Sequence, residues 1–189
     1  MALSKLDSLY MAVVADHSKH PHHQGQIEDV DQIQLNNPTC GDVIQLSVKF
    51  DENDRVEDIA FVNSGCTIST ASASMMTDAV MGKTKEEVEE LALVFSEMVQ
   101  GKSDPRQEEL GDAAFLSGVS KYPQRIKCAT LSWNALKKAI ERSKELKEET
   151  ETERKLWLKK ESNRNQLISV NINLDFTMTF NPFSLPVRD

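Results

Sequence analysis

Three cysteines, Cys40, Cys66 and Cys128, are the residues of this 189-residue chain whose types and settings best suit chemistry. Cys40 lies in Asn36-Asn37-Pro38-Thr39-Cys40-Gly41-Asp42, a turn by its Pro and Gly, which brings a sulfur and a carboxylate close together. Cys66 follows Gly65 and precedes a helical pattern, and Cys128 reads as the first turn of a last core helix. A helix N-terminus carries unpaired N–H groups and partial positive charge, which favour thiolate over thiol. Three thiolates and one carboxylate are four ligands, the number tetrahedral zinc takes, and Asp makes such a site less closed than four cysteines would. The gaps between the cysteines match no local zinc ribbon. On spacing alone, three unrelated buried cysteines explain them equally well.

The elements that must position these residues follow from periodicity. Leu6, Leu9, Tyr10, Val13 and Val14 predict a helix over 5–16, ending in a His- and Pro-containing loop that closes at Gly25. Ile27 to Leu35 is a weak strand. Ile44, Leu46, Val48 and Phe50 alternate as one face of a second, and Val56 to Val62 follows a turn as the third. A three-stranded antiparallel meander with helices on one face results, an α+β fold. Ile68, Ala71, Met75 and Ala79 then form a helical stripe over 67–81, with Met75, Met76 and Met81 as packing residues. Thr84 and Glu87 form a capping box for a helix reaching Gly101. Residues 103–122 are mixed. The last core helix starts near Gln124 with Ile126, Ala129, Trp133, Leu136 and Ile140.

A domain over 1–143 is expected, with 144–189 as an extension. Its first part is charged and helical. From Ile168 to Phe180, apolar and polar residues alternate as in a strand. The formal net charge of −8 gives no help in binding phosphate backbones or anionic membranes, so neither nucleic acid nor membrane is an expected partner. No apolar run spans a bilayer, the N-terminus lacks a signal-peptide core, and three sparse cysteines form no disulfide framework; a cytoplasmic protein is expected.

Three ordered blocks settle which reading of the cysteines holds: Asn37-Pro38-Thr39-Cys40-Gly41-Asp42, Gly65-Cys66-Thr67-Ile68-Ser69-Thr70-Ala71-Ser72-Ala73-Ser74-Met75-Met76, and Arg125-Ile126-Lys127-Cys128-Ala129-Thr130-Leu131-Ser132-Trp133. Together they resemble the signature blocks of the IscU/NifU-like iron–sulfur cluster assembly family, most closely its SufU branch. Asp16-His17-Ser18-Lys19-His20-Pro21 to Gly25 resembles that family's N-terminal stretch. The helix from Thr84 to Gly101 resembles the SufU insertion, and Lys127 stands where scaffold members usually carry a histidine. The resemblance covers about residues 5–143.

The resemblance implies a zinc-dependent sulfurtransferase with a Cys₃Asp site on Cys40, Asp42, Cys66 and Cys128. It implies a SufS-type cysteine desulfurase as partner, Cys40 as acceptor of its persulfide sulfur, and downstream iron–sulfur assembly proteins as recipients. A desulfurase histidine would take the place of Cys40 on zinc, freeing it to attack. The alternative is an assembly scaffold holding iron or a [2Fe–2S] cluster on the same ligands; Lys127 weighs against it. A zinc-stabilised interaction module without turnover is a third reading. Arg125, one helical turn before Cys128, is a candidate contact for the anionic persulfide or the desulfurase, and a solvated arginine is an equal account of it. Four histidines, His17, His20, His22 and His23, invite a second metal, but Pro21 interrupts them, and the adjacent His22 and His23 point poorly at one ion.

Overall fold

The computed structural model describes residues 5–175, which divide between two compact units, Met1–Ser143 and Lys144–Asp189. In the first unit, helix α1 spans Lys5–Lys19, one turn longer than its apolar stripe predicts. Strand β1 (Gln32–Asn37), β2 (Asp42–Phe50) and β3 (Val56–Ser64) form the antiparallel sheet β1-β2-β3. The first strand starts later than Ile27. Its register opens at Gln32 opposite Ser47, and Asp29, at φ 62°, keeps the chain before it in turns.

Alternation decides which face of the sheet is covered. Ile44 and Leu46 on β2, with Ile59 and Phe61 on β3, are fully buried, and the expected face of the meander is therefore the core face. Helix α2 (Thr67–Val80) buries Ala71, Ala73, Met75 and Met76 along with Ser69, Ser72 and Ser74. Met81, expected to pack, is instead 37% exposed, because the helix has already ended at Val80.

Helix α3 (Lys85–Val99) starts with the predicted capping box: Glu87 N–H donates to Thr84 Oγ1 at 3.3 Å, and Thr84 N–H to Glu87 Oε2 at 2.7 Å. That backbone N–H holds the Glu87 carboxyl below its ordinary range. A 3₁₀ segment, Pro105–Lys121, accounts for the mixed stretch and is interrupted by Gly111 at φ 56°. The predicted last core helix is two: α4 (Pro123–Ala129) and α5 (Leu131–Asp175), separated at Thr130. Trp133 is a core residue, stacked on Phe95 with centroids 4.5 Å apart.

One polar contact runs through this core. Lys85 is 2% exposed, its ammonium donating to Asp54 Oδ1 at 2.6 Å and to Ser143 Oγ at 2.8 Å, over the Phe50 ring. An Asp54→Asn substitution keeps the left-handed turn, since Asn tolerates the φ of 60°, but removes the ammonium's charge partner. It should lower unfolding free energy by about 2 kcal/mol, less than for a fully buried pair because Asp54 is partly exposed. Chemical denaturation of the two proteins checks it; equal midpoints would mean the pair is energetically idle.

In the second unit α5 continues as a charged helix, with Lys155–Glu151 and Arg164–Glu161 ion pairs one turn apart and Leu156, Trp157 and Leu158 exposed. The strand expected from Ile168 is a correction: α5 runs to Asp175, and Phe176 to Phe180 lie outside the described residues. Extending a formed helix adds one hydrogen bond per residue without a new nucleus, and that outweighs the alternating pattern. Among the described residues no helix is long and apolar enough to cross a membrane.

Candidate metal centre

The turn between β1 and β2 presents Cys40 at its exposed tip. Gly41 takes φ 73°, and its N–H donates to Asn37 O at 2.8 Å, closing the turn. Such a φ suits glycine, so the residue beside Cys40 is fixed by backbone geometry. Asp42, the first residue of β2, is 2% exposed. Its Oδ1 accepts from the Cys66 N–H at 2.9 Å, at the N-terminus of α2, where Cys66 is the N-cap residue.

Cys128 is a correction. It lies in the last turn of α4, not the first turn of the last core helix, and is fully buried. No helix N-terminus therefore helps to ionise it. Burial pushes its thiol up, reinforced by hydrogen bonds with Cys40, Asp42 and Cys66. The displacement arises because the helix that starts at Pro123, close to the expected position, stops at Ala129, and the chain beyond Thr130 forms a separate helix.

These residues converge. Ligand atoms of Cys40, Asp42 and Cys128 all lie within 4.8 Å of one another, and Cys128 Sγ is 3.0 Å from Cys40 Sγ. Cys66 joins through Asp42, its Sγ 3.8 Å from Oδ2. Arg125 flanks the cluster: a hydrogen bond with Cys128 and the nearby thiols hold its guanidinium above its ordinary range. Two sulfurs and one carboxylate are thus close enough to share one cation, with the Cys66 sulfur beside the carboxylate, all drawn from three segments of chain, and the surrounding contacts have the form that orients ligands.

Two supporting residues escaped the sequence reading. Asn37, 4% exposed, points Nδ2 at Cys128 Sγ at 3.6 Å and accepts the Thr39 N–H at 3.1 Å, tying the Cys40 turn to α4. Its place before Pro38 in a turn was the available signal. Gly65 is the other. A Cβ there would stand 3.1 Å from Asp42 Oδ1 and 3.2 Å from its Cγ. Gly65→Ala should therefore push the carboxylate aside and weaken metal retention about tenfold, the scale of losing a ligand-orienting contact. Competition with a chromophoric chelator measures it; unchanged retention would mean Asp42 is not held for a metal.

The fold and the cysteine cluster together are those of one class of protein, and the chain belongs to it: the family described as NifU-like N terminal domain matches residues 9–129. Within that class its relatives are iron–sulfur cluster assembly proteins of scaffold and SufU type. A Streptococcus pyogenes serotype M1 protein named iron-sulfur cluster assembly scaffold protein IscU is 71% identical over 143 residues, covering 76% of this chain and 89% of that one. The zinc-dependent sulfurtransferase SufU of Bacillus subtilis is 50% identical over 137 residues, 72% of this chain and 92% of its own length. A Fervidobacterium islandicum structure, described as an assembly scaffold for the SUF system, superposes with TM-score 0.64 at 34% identity, over 68% of this chain and 93% of that chain.

Proposed function

We propose that this chain is a zinc-dependent sulfur acceptor that takes persulfide sulfur from a SufS-type cysteine desulfurase and passes it to iron–sulfur cluster assembly. The observation that carries this reading is the unequal exposure of the three cysteines: Cys40 is exposed, Cys66 intermediate and Cys128 buried. A scaffold sulfur needs only to hold its cluster, whereas an acceptor must meet another protein's persulfide. Cys40 is the most exposed of the three and the best placed to do so.

Cys40, Asp42, Cys66 and Cys128 are the residues that would hold zinc, whose charge favours their ionised forms. The remaining chemistry belongs to the chain. The Cys40 thiolate attacks the terminal sulfur of the desulfurase Cys–S–SH. A new S–S bond forms on Cys40, the desulfurase S–S bond breaks, and its cysteine leaves as thiolate while the proton stays on the transferred sulfur. The Gly41 turn gives Cys40 its reach, while Cys66 on the α2 cap and Cys128 in the core keep their places. Arg125 lies beside the sulfurs as a cation for the incoming persulfide. The SufU relative's name supports the zinc-dependent transfer role, and the resemblance supports the desulfurase partner and residues 1–143 as the functional domain.

The second reading, an assembly scaffold using the same ligands for iron or a [2Fe–2S] cluster, is favoured by the name of the Streptococcus pyogenes relative. Metal content after purification without added metal, combined with a cognate desulfurase assay, separates the two. Zinc equal to the chain concentration, negligible iron, stimulated turnover and an added sulfur on Cys40 by mass spectrometry are expected. Iron with acid-labile sulfide, and no sulfur on Cys40, would establish the scaffold instead.

A further inference from the structure

The end of α1, the histidine-rich loop after it and α2 build a second constellation of ligands that uses none of the cysteines. His17, in the last turn of α1, is 3% exposed, an unusual position for a titratable ring. Its Nε2 is 3.1 Å from Asp112 Oδ2 and its Nδ1 2.8 Å from Ser74 Oγ. An ionised carboxylate only accepts, so Nε2 carries the proton and the Nδ1 lone pair faces α2. Ser74 agrees with that tautomer: its oxygen accepts the His22 N–H at 2.8 Å and its hydroxyl donates to His17.

A cation on that lone pair would take the place of the Ser74 hydroxyl proton, with His22 and Asp78 as its other neighbours. The two imidazoles of His17 and His22 lie 4.7 Å apart by centroid, and His22 Nδ1 is 2.7 Å from Asp78 Oδ2. One ligand atom from each of His17, His22 and Asp78 falls within 4.8 Å of the others. Metal–nitrogen and metal–oxygen bonds of about 2.1 Å place ligand atoms about 3.4 Å apart in a tetrahedron, so the set closes by side-chain rotations that include turning the Ser74 hydroxyl off His17 Nδ1. His23 stands behind, Nε2 3.5 Å from Asp78 Oδ1.

We propose that His17, His22 and Asp78 form a second cation site that takes a divalent first-row transition ion of the zinc class. Two imidazoles with one carboxylate select such ions over magnesium or calcium, which prefer oxygen cages. Asp112 behind His17 Nε2 completes a carboxylate–histidine–metal arrangement, the contact that fixes a ligand's tautomer and orientation. The loop is already in place, because Phe61 N–H donates to His23 O at 3.0 Å and Gly25 N–H to Phe61 O at 2.9 Å. Little ordering cost therefore falls on binding. The adjacency of His22 and His23, which argued against a shared metal in the sequence, is no obstacle: the partners of His22 are His17, across Pro21, and Asp78 on α2. The ion would clip α1 and its loop to the helix whose N-terminus carries Cys66. This site stands independently of the function proposed for the cysteines.

The test is a Co²⁺ titration of the untagged full chain stripped of metal, followed by absorption and by metal counting after gel filtration, with His22→Gln, Asp78→Asn and Asp112→Asn variants alongside. Cobalt on sulfur shows intense thiolate charge-transfer bands; cobalt on nitrogen and oxygen shows only weak visible ones. Two equivalents are expected, one with and one without thiolate bands. The second should weaken at least about tenfold in His22→Gln and Asp78→Asn and about tenfold in Asp112→Asn, with the thiolate bands unchanged in all three. A single equivalent, or a second one indifferent to both His22→Gln and Asp78→Asn, would overturn the site.

Discussion

A Cys40→Ala chain should leave a cognate cysteine desulfurase at its unstimulated rate, a loss on the order of 100-fold or more in sulfur transfer, while its fold is unchanged. Removing the attacking atom removes the covalent route altogether, and losses of this kind commonly exceed that of any supporting group. The fold should survive because Cys40 is exposed on a turn whose hydrogen bonds are made by Asn37 and Gly41, not by the thiol. Turnover with desulfurase and circular dichroism make the measurement together. Stimulation that persists without Cys40 would remove the acceptor role from this chain and favour the scaffold reading.

Cys128→Ser should have the largest effect on metal and stability. Cys128 is fully buried, hydrogen-bonded by Asn37 and in contact with Cys40, so no nearby group can take its place. A serine oxygen is a poor ligand for a soft site and sits in the same enclosed space. Metal retention should fall to a small fraction of the wild type, and with it the stabilisation that a bound ion gives the folded chain, about 4 kcal/mol when free ligand is a thousand times Kd. Thermal unfolding with and without a strong chelator reads both. The wild type should lose stability on chelation, whereas Cys128→Ser should begin near the chelated value and move little. A variant that keeps its metal would show that the buried sulfur is not a ligand. Contrasting the two cysteines is informative, because one substitution should remove turnover from an intact protein and the other should remove the metal.

The core strands were legible because their sequence alternates and half of each strand meets helices. Ile44 and Leu46 are buried for the reason their spacing implies. Thr84 and Glu87 likewise cap α3 by contacts within one turn, and local geometry is what local sequence specifies. The resemblance of the cysteine blocks implied one shared site, and the structure brings Cys40, Asp42 and Cys128 within reach of one another. What failed was of two kinds. Helix boundaries moved where one expected helix became two: the break at Thr130 ended α4 early, leaving Cys128 at a helix end and in the core. The alternating run from Ile168 became helix to Asp175, because periodicity proposes a strand but only a neighbouring strand can stabilise one.

Residue types and order alone determined the family, the meander and the capping of α3, since each depends on chemistry carried by short stretches of chain. Tertiary structure decided the rest. It made Cys40 the exposed sulfur and Cys128 the buried one, set Gly65 against Asp42 and Asn37 against Cys128, and brought His17, His22 and Asp78 together. Exposure and convergence depend on which surfaces pack over a residue, and those surfaces come from segments distant in the sequence.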